Sequence, residues 1–388
     1  MELYIAGGCN EHGRNCFLVK GNRYSLLVDC GIKEGASQPY PILTQDEIKR
    51  ISYVFLTHSH KDHVGALSWI EDLGFTGATI LTRATFEQMS VKPKRYIIID
   101  ELVKKNTLPL ERDLSVSYGK SGHCEGSVWY QFIFEGKRLL FSGDYIESSE
   151  VYACDPIEGF HSDLAILDCA YMKDSVSAKD HQMELVKHLN ESIKEKKLIV
   201  LPVPKYGRGL DLLKLVMEQL NVKSKVQCYL DTHMYEYVRG IQNNDWFQSS
   251  LKKKKSWKVK ELQNINQSQS ARLKGDMIVL FLSDPQLVKK ENQELCNAIY
   301  SMDGEIIFTG NLDEGSYSRK LVEEKKAVFY RYHVHMNLAD VKRVCERNQF
   351  ERVVLSHSVY PIKQDASSCD KEELKDYLCL DAGQSVEL

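Results

Sequence analysis

One short stretch of the sequence carries a high density of side chains that bind metal ions. Residues 55–67 read FLTHSHKDHVGAL, so His58, His60, Asp62 and His63 lie within six positions, directly after an apolar run. Residues two apart at a strand end face the same way, so His58 and His60 can converge on one point. Asp62 and His63 follow where the chain turns into a helix, and they can converge on a second point. Imidazole and carboxylate ligands suit Zn²⁺. The stretch therefore predicts a site for two cations, with Zn²⁺ as the leading candidate.

Six positions cannot supply two complete sets of ligands, so further ligands must come from distant parts of the chain. His123 lies in SGHCEGS, a glycine-flanked turn between predicted strands. Asp144 ends the apolar run LLFSGD, and His357 ends VVLSHS. Each of these residues follows a predicted strand, so one edge of a sheet could bring all three to the metal ions. Taken alone, each would be interpreted as an ordinary loop residue.

The elements that must position these side chains differ between the two parts of the chain. Residues 1–170 contain short runs of β-branched and aromatic residues separated by glycine, which is typical of packed strands. A helix is predicted from just after His63 to Gly74. Residues 178–197 have helical spacing, and a buried strand, a glycine-broken loop and another helix follow. This alternation predicts a parallel sheet with flanking helices, and therefore an α/β protein.

The composition limits the class of protein. At 388 residues, two domains or one domain with a large insertion are expected. A formal net charge of -3 gives no general attraction to nucleic acid or membrane, so any site for a polyanion must be local. Eleven cysteines without a CxxC pair argue against a disulfide framework and a thiolate zinc site. Because no signal peptide and no apolar run near ~20 residues are evident, we expect a cytoplasmic protein without a membrane partner.

The motifs, taken in order, resemble those of a known group of enzymes. HSHKDH, His123, FSGD and LLVDCG are similar to the motif series of the metallo-β-lactamase fold, an αββα sandwich that carries its metals on one edge. LAILDCAYMKD, KLIVLPVPKYGRGLDLL, DGEIIFTGNLDEGSYSRKL, VFYRYHVHMNLAD and FERVVLSHS resemble the β-CASP nucleases. The resemblance covers nearly the whole chain. It implies a metallo-β-lactamase domain in residues 1–172 and 321–388, with an inserted β-CASP domain in residues 173–320.

The resemblance also implies a role for each motif residue. The implied metal ligands are His58, His60 and His123 for one zinc ion, Asp62, His63 and His357 for the other, and Asp144 as the bridge, with Asp29 supporting the site. Asp168 matches the acidic motif of the family, and His335 matches its additional histidine motif. Two positions depart from the family pattern. Asp168 replaces a glutamate, and Asn337 stands where the family has an acidic residue.

The chemistry that the resemblance implies is phosphodiester hydrolysis. Two Zn²⁺ ions, or Mn²⁺ or another divalent ion in their place, can ionise a shared water and stabilise charge on the attacking and leaving oxygens. The expected products carry a 5′-phosphate and a 3′-hydroxyl. Asp62, Asp168 and His335 are the implied catalytic residues, and His335, held by Asp168, is the candidate proton donor to the leaving oxygen.

Other residues are candidates for contacts with substrate. The loop PKYGRGLDLL contains Lys205, Gly207 and Arg208, and Arg208 at a helix start is a suitable place for a phosphate. The alternative interpretation is a helix cap with a surface arginine. Ser316 lies in a segment that resembles a turn of the family. The lysine run at 252–255 could contact a nucleic-acid backbone, but most lysine runs in polar loops are solvated faces, and that interpretation is favoured.

Several functions stay open at this point. RNA, single-stranded in particular, is favoured as the substrate because His357 is present, whereas the DNA-repair branch of the family usually lacks that motif. The alternatives are a DNA nuclease of the same fold and a non-catalytic scaffold subunit of an RNA-processing complex. An insertion of ~150 residues argues against a small-molecule hydrolase, because a lid of that size suits a polymer. A protein partner and a homodimer are both left open. The sequence also does not distinguish an endonuclease from an exonuclease.

Overall fold

The chain divides into two compact units. The computed structural model describes residues 1–103, 107–195, 197–220, 226–241, 244–249, 257–262, 278–360 and 374–388. Unit 1 comprises Met1–Glu147, Ala153–Ser175 and His335–Leu388, and unit 2 comprises Ser148–Tyr152 and Val176–Val334. The lysine run predicted as a nucleic-acid contact, 252–255, lies outside the described residues.

Two sheets form the centre of unit 1. The first contains the described strands β21 (Ser385–Glu387), β1 (Glu2–Gly7), β2 (Cys16–Lys20), β3 (Ser25–Val28), β4 (Ile51–Phe55), β5 (Ala78–Leu81) and β6 (Tyr96–Ile98), in that order. The second contains β20 (Val353–Ser356), β12 (Leu164–Asp168), β10 (Lys137–Phe141), β9 (Val128–Phe134), β8 (Leu114–Lys120) and β7 (Leu108–Glu111). A short pair, β11 (His161–Ser162) and β19 (Gln349–Phe350), is separate from both sheets.

Helices cover the outer faces of these sheets. Numbered along the whole chain, those of unit 1 are α1 (Gln45–Arg50), α2 (Lys61–Val64), α3 (Leu67–Asp72), α4 (Arg83–Gln88), α5 (Ile99–Leu102) and α11 (Leu338–Glu346). The helix predicted from after His63 to Gly74 is two short helices, and the first begins at Lys61. Gly65 follows α2 as its C-cap, and His63 therefore lies inside a helix and not before one.

Aromatic side chains fill the space between the two sheets. The rings of Phe17 on β2 and Phe141 on β10 have centroids 6.0 Å apart, and Phe55 on β4 lies 4.7 Å from Phe132 on β9. On the outer face of the first sheet, helix residues such as Leu67 join the core that contains strand residues. The core on the outer face of the second sheet includes residues of α11. The layers are therefore helix, sheet, sheet and helix, and the predicted αββα sandwich is confirmed.

Unit 2 is built on a parallel sheet. Its described strands lie in the order β15 (Val259–Glu261), β14 (Gln227–Leu230), β16 (Ile278–Leu282), β13 (Ile199–Pro202), β17 (Glu305–Phe308) and β18 (Val328–Phe329), and every pairing between them is parallel. Its helices are α6 (Ala178–Lys194), α7 (Arg208–Leu215) with a π-helical continuation at Val216–Leu220, α8 (Thr232–Gly240), α9 (Lys290–Ser301) and α10 (Tyr317–Glu323). Apolar clusters cover both faces of the sheet, as expected for parallel strands.

The carboxyl end of unit 2 differs from the expected boundary. The inserted domain was expected to end at residue 320, whereas unit 2 continues to Val334. The reason is that β18 extends the parallel sheet, with Val328 opposite Ile307. Leu321 of α10 packs in the same apolar cluster as Phe308. None of the helices within the described ranges is both long and apolar enough to cross a membrane.

Candidate metal centre

Strand ends in unit 1 bring the predicted ligands to one edge. Asp29 follows β3 and Asp144 lies just beyond β10, while Asp168 is the last residue of β12 and His357 directly follows β20. His123 lies in the turn between β8 and β9. Strands β10, β12 and β20 are parallel, so their carboxyl ends meet at the same edge.

The crowded HSHKDH stretch lies in a loop and a short helix. Strand β4 ends at Phe55, so His58 and His60 lie in the loop beyond the strand. The prediction that they lie on the strand end is wrong. They nevertheless converge, because His58 Nε2 and His60 Nδ1 are 3.0 Å apart. Asp62 and His63 lie one turn further on in α2. The convergence therefore depends on the turn between β4 and α2, and strand alternation has no part in it.

The first ligand group consists of three imidazoles and one carboxylate oxygen. His123 Nε2 lies 3.2 Å from His60 Nδ1, and Asp144 Oδ2 lies 3.4 Å from His58 Nε2 and 3.5 Å from His123 Nε2. Four tetrahedral ligands at the usual zinc distance are separated by roughly 3.3 Å, which is the size of these gaps. All four side chains are buried or nearly so. This donor set fits a zinc ion.

The second ligand group shares Asp144 with the first. Asp62 Oδ2 lies 3.0 Å from His357 Nε2 and 3.7 Å from His63 Nε2. The other oxygen of Asp144, Oδ1, lies 3.2 Å from His63 Nε2. Each oxygen of this one carboxylate therefore faces a different group of imidazoles, which is the arrangement that a bridging ligand requires.

Buried side chains orient two of the imidazoles through contacts with their Nδ1 atoms. Asp29 Oδ2 lies 2.7 Å from Nδ1 of His63, and Asp29 Oδ1 accepts from the main-chain N–H of Thr57 at 2.8 Å. The hydroxyl of Thr57 lies 3.1 Å from Nδ1 of His58. An imidazole that donates from Nδ1 to a carboxylate keeps the lone pair of Nε2 for a metal. Asp29 is thus placed to hold His63 in the tautomer that a metal ligand needs.

Asp168 and His335 form a buried pair that contacts both groups, because their ligand atoms also cluster with those of Asp144 and His357. Oδ2 of Asp168 accepts from Nδ1 of His335 at 3.0 Å and from the main-chain N–H of Tyr145 at 3.1 Å, and Oδ1 accepts from the N–H of Ala170 at 3.0 Å. Burial alone would raise the pKa of Asp168, but His335 outweighs it and the pKa is lowered to about 2. Asp168 is therefore an ionised acceptor that fixes the ring of His335. Asn337, which departs from the family pattern, caps α11 in a capping box with Asp340.

The electrostatics differ between the two ligand groups. Burial lowers the pKa of His58 and of His60, so both imidazoles favour the neutral form that binds metal. Burial also opposes charge on His63 and His357, but the carboxylate of Asp144 raises the pKa of both well above the usual value. Burial would raise the pKa of Asp144 itself, yet the surrounding imidazoles, His63 first, hold it well below the usual range. The centre therefore concentrates negative charge where the two groups meet.

Two of the predicted phosphate contacts lie at the start of a helix in unit 2. Gly207 is the N-cap of α7 with a φ of 80°, in the region that favours glycine, and no side chain caps the helix there. The guanidinium of Arg208 lies against the main chain of Gly310, where an added Cβ would be 1.9 Å from Nη2. The guanidinium of Arg208 therefore lies next to the turn that follows β17.

The other two predicted phosphate contacts have local partners in unit 2. The Nζ of Lys205 lies 5.1 Å from the centre of the Tyr206 ring. Ser316 is the N-cap of α10, where its Oγ accepts from the N–H of Arg319 at 3.2 Å. The serine thus has a capping role that its sequence context did not suggest. The phosphate role of these four residues stays a prediction.

One residue at the metal centre was not predicted from the sequence. Asn15, directly before β2, places Nδ2 of its amide 3.0 Å from Nε2 of His63. No spacing rule points to this residue within the segment GCNEHGRNC. Only the folded chain shows that this asparagine contacts a candidate ligand.

Comparison with known families agrees with this fold and centre. The family model described as the Metallo-beta-lactamase superfamily matches residues 9–168. That range contains Asp29, the HSHKDH stretch, His123, Asp144 and Asp168. These residues therefore form a metallo-β-lactamase domain.

Curated relatives extend the likeness beyond that domain. A probable RNase MJ4 of Methanocaldococcus jannaschii is 22% identical and is matched over 92% of this chain and 93% of its own length. The transcription termination factor FttA of Methanosarcina mazei is 26% identical over 61% of this chain, and the endoribonuclease YSH1 of Candida albicans is 20% identical over 83% of this chain. The chain spans 42% and 43% of the lengths of these two proteins. The resemblance to the β-CASP nucleases is confirmed.

A solved structure shares the whole architecture. A protein of unknown function from Enterococcus faecalis V583 superposes with a TM-score of 0.63 at 13% identity, and the match covers 100% of this chain and 99% of that one. At this identity the likeness concerns the fold alone. The folds of both units therefore occur together in that chain as well.

Proposed function

We propose that this chain is a ribonuclease that cleaves phosphodiester bonds with two divalent cations, Zn²⁺ as the first choice and Mn²⁺ as the alternative. The products would carry a 5′-phosphate and a 3′-hydroxyl. That the chain is a hydrolytic enzyme is confirmed by its family. The observation that supports the use of two cations is the position of Asp144. Its Oδ2 lies 3.4 Å from His58 Nε2, and its Oδ1 lies 3.2 Å from His63 Nε2.

The residues of the chain fit such a pair of cations. His58, His60 and His123 would hold one, and Asp62, His63 and His357 would hold the other, with Asp144 between them. When bound, two such cations would lower the pKa of a shared water and neutralise charge on the phosphate in an in-line displacement. Asp62 is only partly buried, so it also borders the side from which a substrate can approach.

His335 is the proposed donor of the proton that the leaving 3′-oxygen needs. Its Nδ1 is occupied by Asp168, which leaves Nε2 to hold and release a proton. His335 is 8% exposed, and its ring centroid lies 4.8 Å from that of His123 and 4.9 Å from that of His357, so the proton would be held beside both ligand groups. Asp168 acts through His335 by fixing its orientation and tautomer.

Contacts with the phosphates of the substrate are proposed for unit 2. Arg208 and Lys205 carry the positive charge, and no side chain caps the start of α7 after Gly207, where a helix N-terminus favours a phosphate. Ser316 was also predicted to contact substrate, and its hydroxyl is already used in capping α10. Arg208 is therefore the stronger candidate of the set.

RNA is the proposed substrate, and the relatives named as ribonucleases support this choice. A DNA nuclease and a non-catalytic scaffold are the alternatives. Against the scaffold, each of the seven predicted ligand residues lies in one of the two groups. The described cysteines are all free thiols and most are buried, which suits the proposed cytoplasmic location.

The proposal can be tested with end-labelled single-stranded RNA and DNA of matched sequence. The purified chain, with its metal content measured, is incubated with each substrate, with and without a chelator. We expect metal-dependent cleavage of RNA to products with a 5′-phosphate, with activity restored by Zn²⁺ or Mn²⁺. Cleavage of DNA alone would favour the first alternative. Two bound metals without cleavage of either polymer would favour the scaffold.

A further inference from the structure

A buried amide contacts the second ligand group. Asn15 is 2% exposed, and Nδ2 of its side chain lies 3.0 Å from Nε2 of His63. The other ring nitrogen, Nδ1, is occupied by Asp29 at 2.7 Å. The amide therefore meets the one imidazole atom that is available to a cation.

The main chain holds Asn15 in this place. Its N–H donates to the carbonyl of Asp62 at 2.8 Å, and its carbonyl accepts from the N–H of Gly31 at 3.0 Å. Gly8, with a φ of +87°, leaves the space that the amide fills, because a Cβ there would lie 2.5 Å from Oδ1 of Asn15. The position of the amide is thus fixed relative to Asp62 and His63 by hydrogen bonds on both sides and by a glycine.

The distance from the amide to His63 is that of two ligands on one cation. Within the second group the separations are 3.0 Å between Asp62 Oδ2 and His357 Nε2, 3.2 Å between Asp144 Oδ1 and His63 Nε2, and 3.7 Å between Asp62 Oδ2 and His63 Nε2. Two ligands about 2.1 Å from a cation and at right angles to each other lie roughly 3.0 Å apart. The amide atom that faces His63 therefore lies at a distance that suits a second ligand of the same cation.

The charges at this position favour the oxygen of the amide. Two carboxylate oxygens, Asp144 Oδ1 and Asp62 Oδ2, lie 3.2 and 3.7 Å from Nε2 of His63, so positive charge is favoured there. An amide N–H directed at a cation is unfavourable, whereas its carbonyl oxygen is a good ligand for a hard cation. The two ends of an asparagine amide differ little in shape, so a half turn about χ2 exchanges them.

Such a half turn would break only the contact with His63. The Oδ1 of Asn15 accepts no hydrogen bond from any residue within the described ranges, so the turn leaves no donor without its acceptor. A cavity of about 10 Å³ lined by Asn15, Asp29, Thr57 and His63 lies beside the amide and gives it room.

We propose that Asn15 is an amide-oxygen ligand of the cation held by Asp62, His63 and His357. This inference rests on the proposed function, because it requires the second cation. With Asp144, the second site would then have two imidazole nitrogens and three oxygens, whereas the first has three nitrogens and one oxygen. Oxygen ligands suit Mn²⁺ and imidazoles suit Zn²⁺. Asn15 therefore makes the second site the one that accepts Mn²⁺.

The test compares Asn15→Leu, which keeps the volume without a ligand atom, with Asn15→Asp, which keeps an oxygen. Metal-stripped protein is titrated with Zn²⁺ by calorimetry, and protein loaded with one equivalent of Zn²⁺ is titrated with Mn²⁺ by electron paramagnetic resonance. For Asn15→Leu we expect an unchanged first equivalent and a second equivalent bound ~10- to 100-fold more weakly, which is the usual effect of losing a partner at a metal site. Asn15→Asp should bind the second equivalent at least as tightly as the wild type.

Controls separate this inference from the proposed function. Asn22→Leu, at an exposed turn of the same unit, should bind both equivalents normally. If Asn15→Leu does not fold, Asn15→Ser replaces it as the variant that lacks the amide. Equal affinities in the wild type and in Asn15→Leu would overturn the role of Asn15 while leaving the two-cation proposal intact. Equal losses in the leucine and aspartate variants would also overturn it, since only positioning would then matter. A wild-type chain that takes up fewer than two equivalents would overturn both proposals.

Discussion

Asp168 and His335 lie 167 positions apart in the chain, yet Oδ2 of the carboxylate accepts from Nδ1 of the imidazole at 3.0 Å. The carboxylate is 1% exposed and is held in turn by the main-chain N–H groups of Tyr145 and Ala170. Three hydrogen bonds thus hold the carboxylate, and the bond to Nδ1 leaves Nε2 of His335 to carry a proton. A side chain held in this way is placed to pass a proton beside the metal centre.

His335→Ala should keep both metal ions and lose ~10²- to 10⁴-fold in turnover, the usual contribution of a general acid or base. The measurements are the metal content and the single-turnover rate on labelled RNA. His161→Ala, at an exposed histidine of the same unit, is the matched control and should behave as the wild type. Unchanged turnover in His335→Ala would remove this histidine from the reaction.

Gly310→Ala should weaken substrate binding in the same way as Arg208→Ala. An added Cβ at Gly310 would lie 1.9 Å from Nη2 of Arg208, so the guanidinium must leave its place. We expect a raised KM for RNA in both variants, with metal content unchanged because neither residue belongs to unit 1. Gly240→Ala is the control, since a Cβ there meets no other atom within 4 Å. A normal KM in Arg208→Ala would contradict the phosphate role of that residue.

Asp211→Asn should remove a pH dependence of the stability of unit 2. Asp211 is 3% exposed, and burial raises its pKa to about 7 although Ser149 donates to it at 2.9 Å. Glu150 raises this pKa further and Lys214 lowers it. Because the pKa is higher in the folded chain than in the unfolded chain, the folded state holds a proton that the unfolded state releases, and stability falls as the pH rises from about 4 to about 7.

The size of this loss of stability follows from the pKa shift of Asp211. About three pKa units correspond to about 4 kcal/mol of lost unfolding free energy at most. Urea unfolding of unit 2 at pH 4.5 and pH 8, followed by local fluorescence, measures it. We expect Asp211→Asn to gain stability relative to the wild type only at pH 8, whereas the exposed Asp303→Asn should show no such difference. Parallel pH profiles of the wild type and Asp211→Asn would contradict the assignment.

Much of the fold and most of the candidate centre could be predicted from the sequence. The stretch from His58 to His63 carries four potential ligands in one turn, and short spacing of this kind needs no knowledge of the tertiary fold. Asp144 and His357 could be predicted because each ends an apolar run, and parallel strands deliver such ends to one edge. Alternating strands and helices likewise predicted the parallel sheet of unit 2.

What could not be predicted depends on contacts between distant segments. Asn15 meets His63 only because its main chain bonds to Asp62 and Gly31, and no spacing pattern encodes those bonds. The end of unit 2 at Val334 depends on the pairing of a two-residue strand, which is too short to have a clear signal. In the same way, the capping role of Ser316 depends on where α10 begins.

The central claim is that one carboxylate, that of Asp144, serves two cations, and the metal content of Asp144→Asn tests it most directly. Its two oxygens face His58 at 3.4 Å and His63 at 3.2 Å, so loss of the negative charge should weaken both sites together. After dialysis against a weak chelator, the wild type should retain two equivalents and the variant fewer than one, with its circular dichroism spectrum unchanged. Two full equivalents in Asp144→Asn would contradict the account.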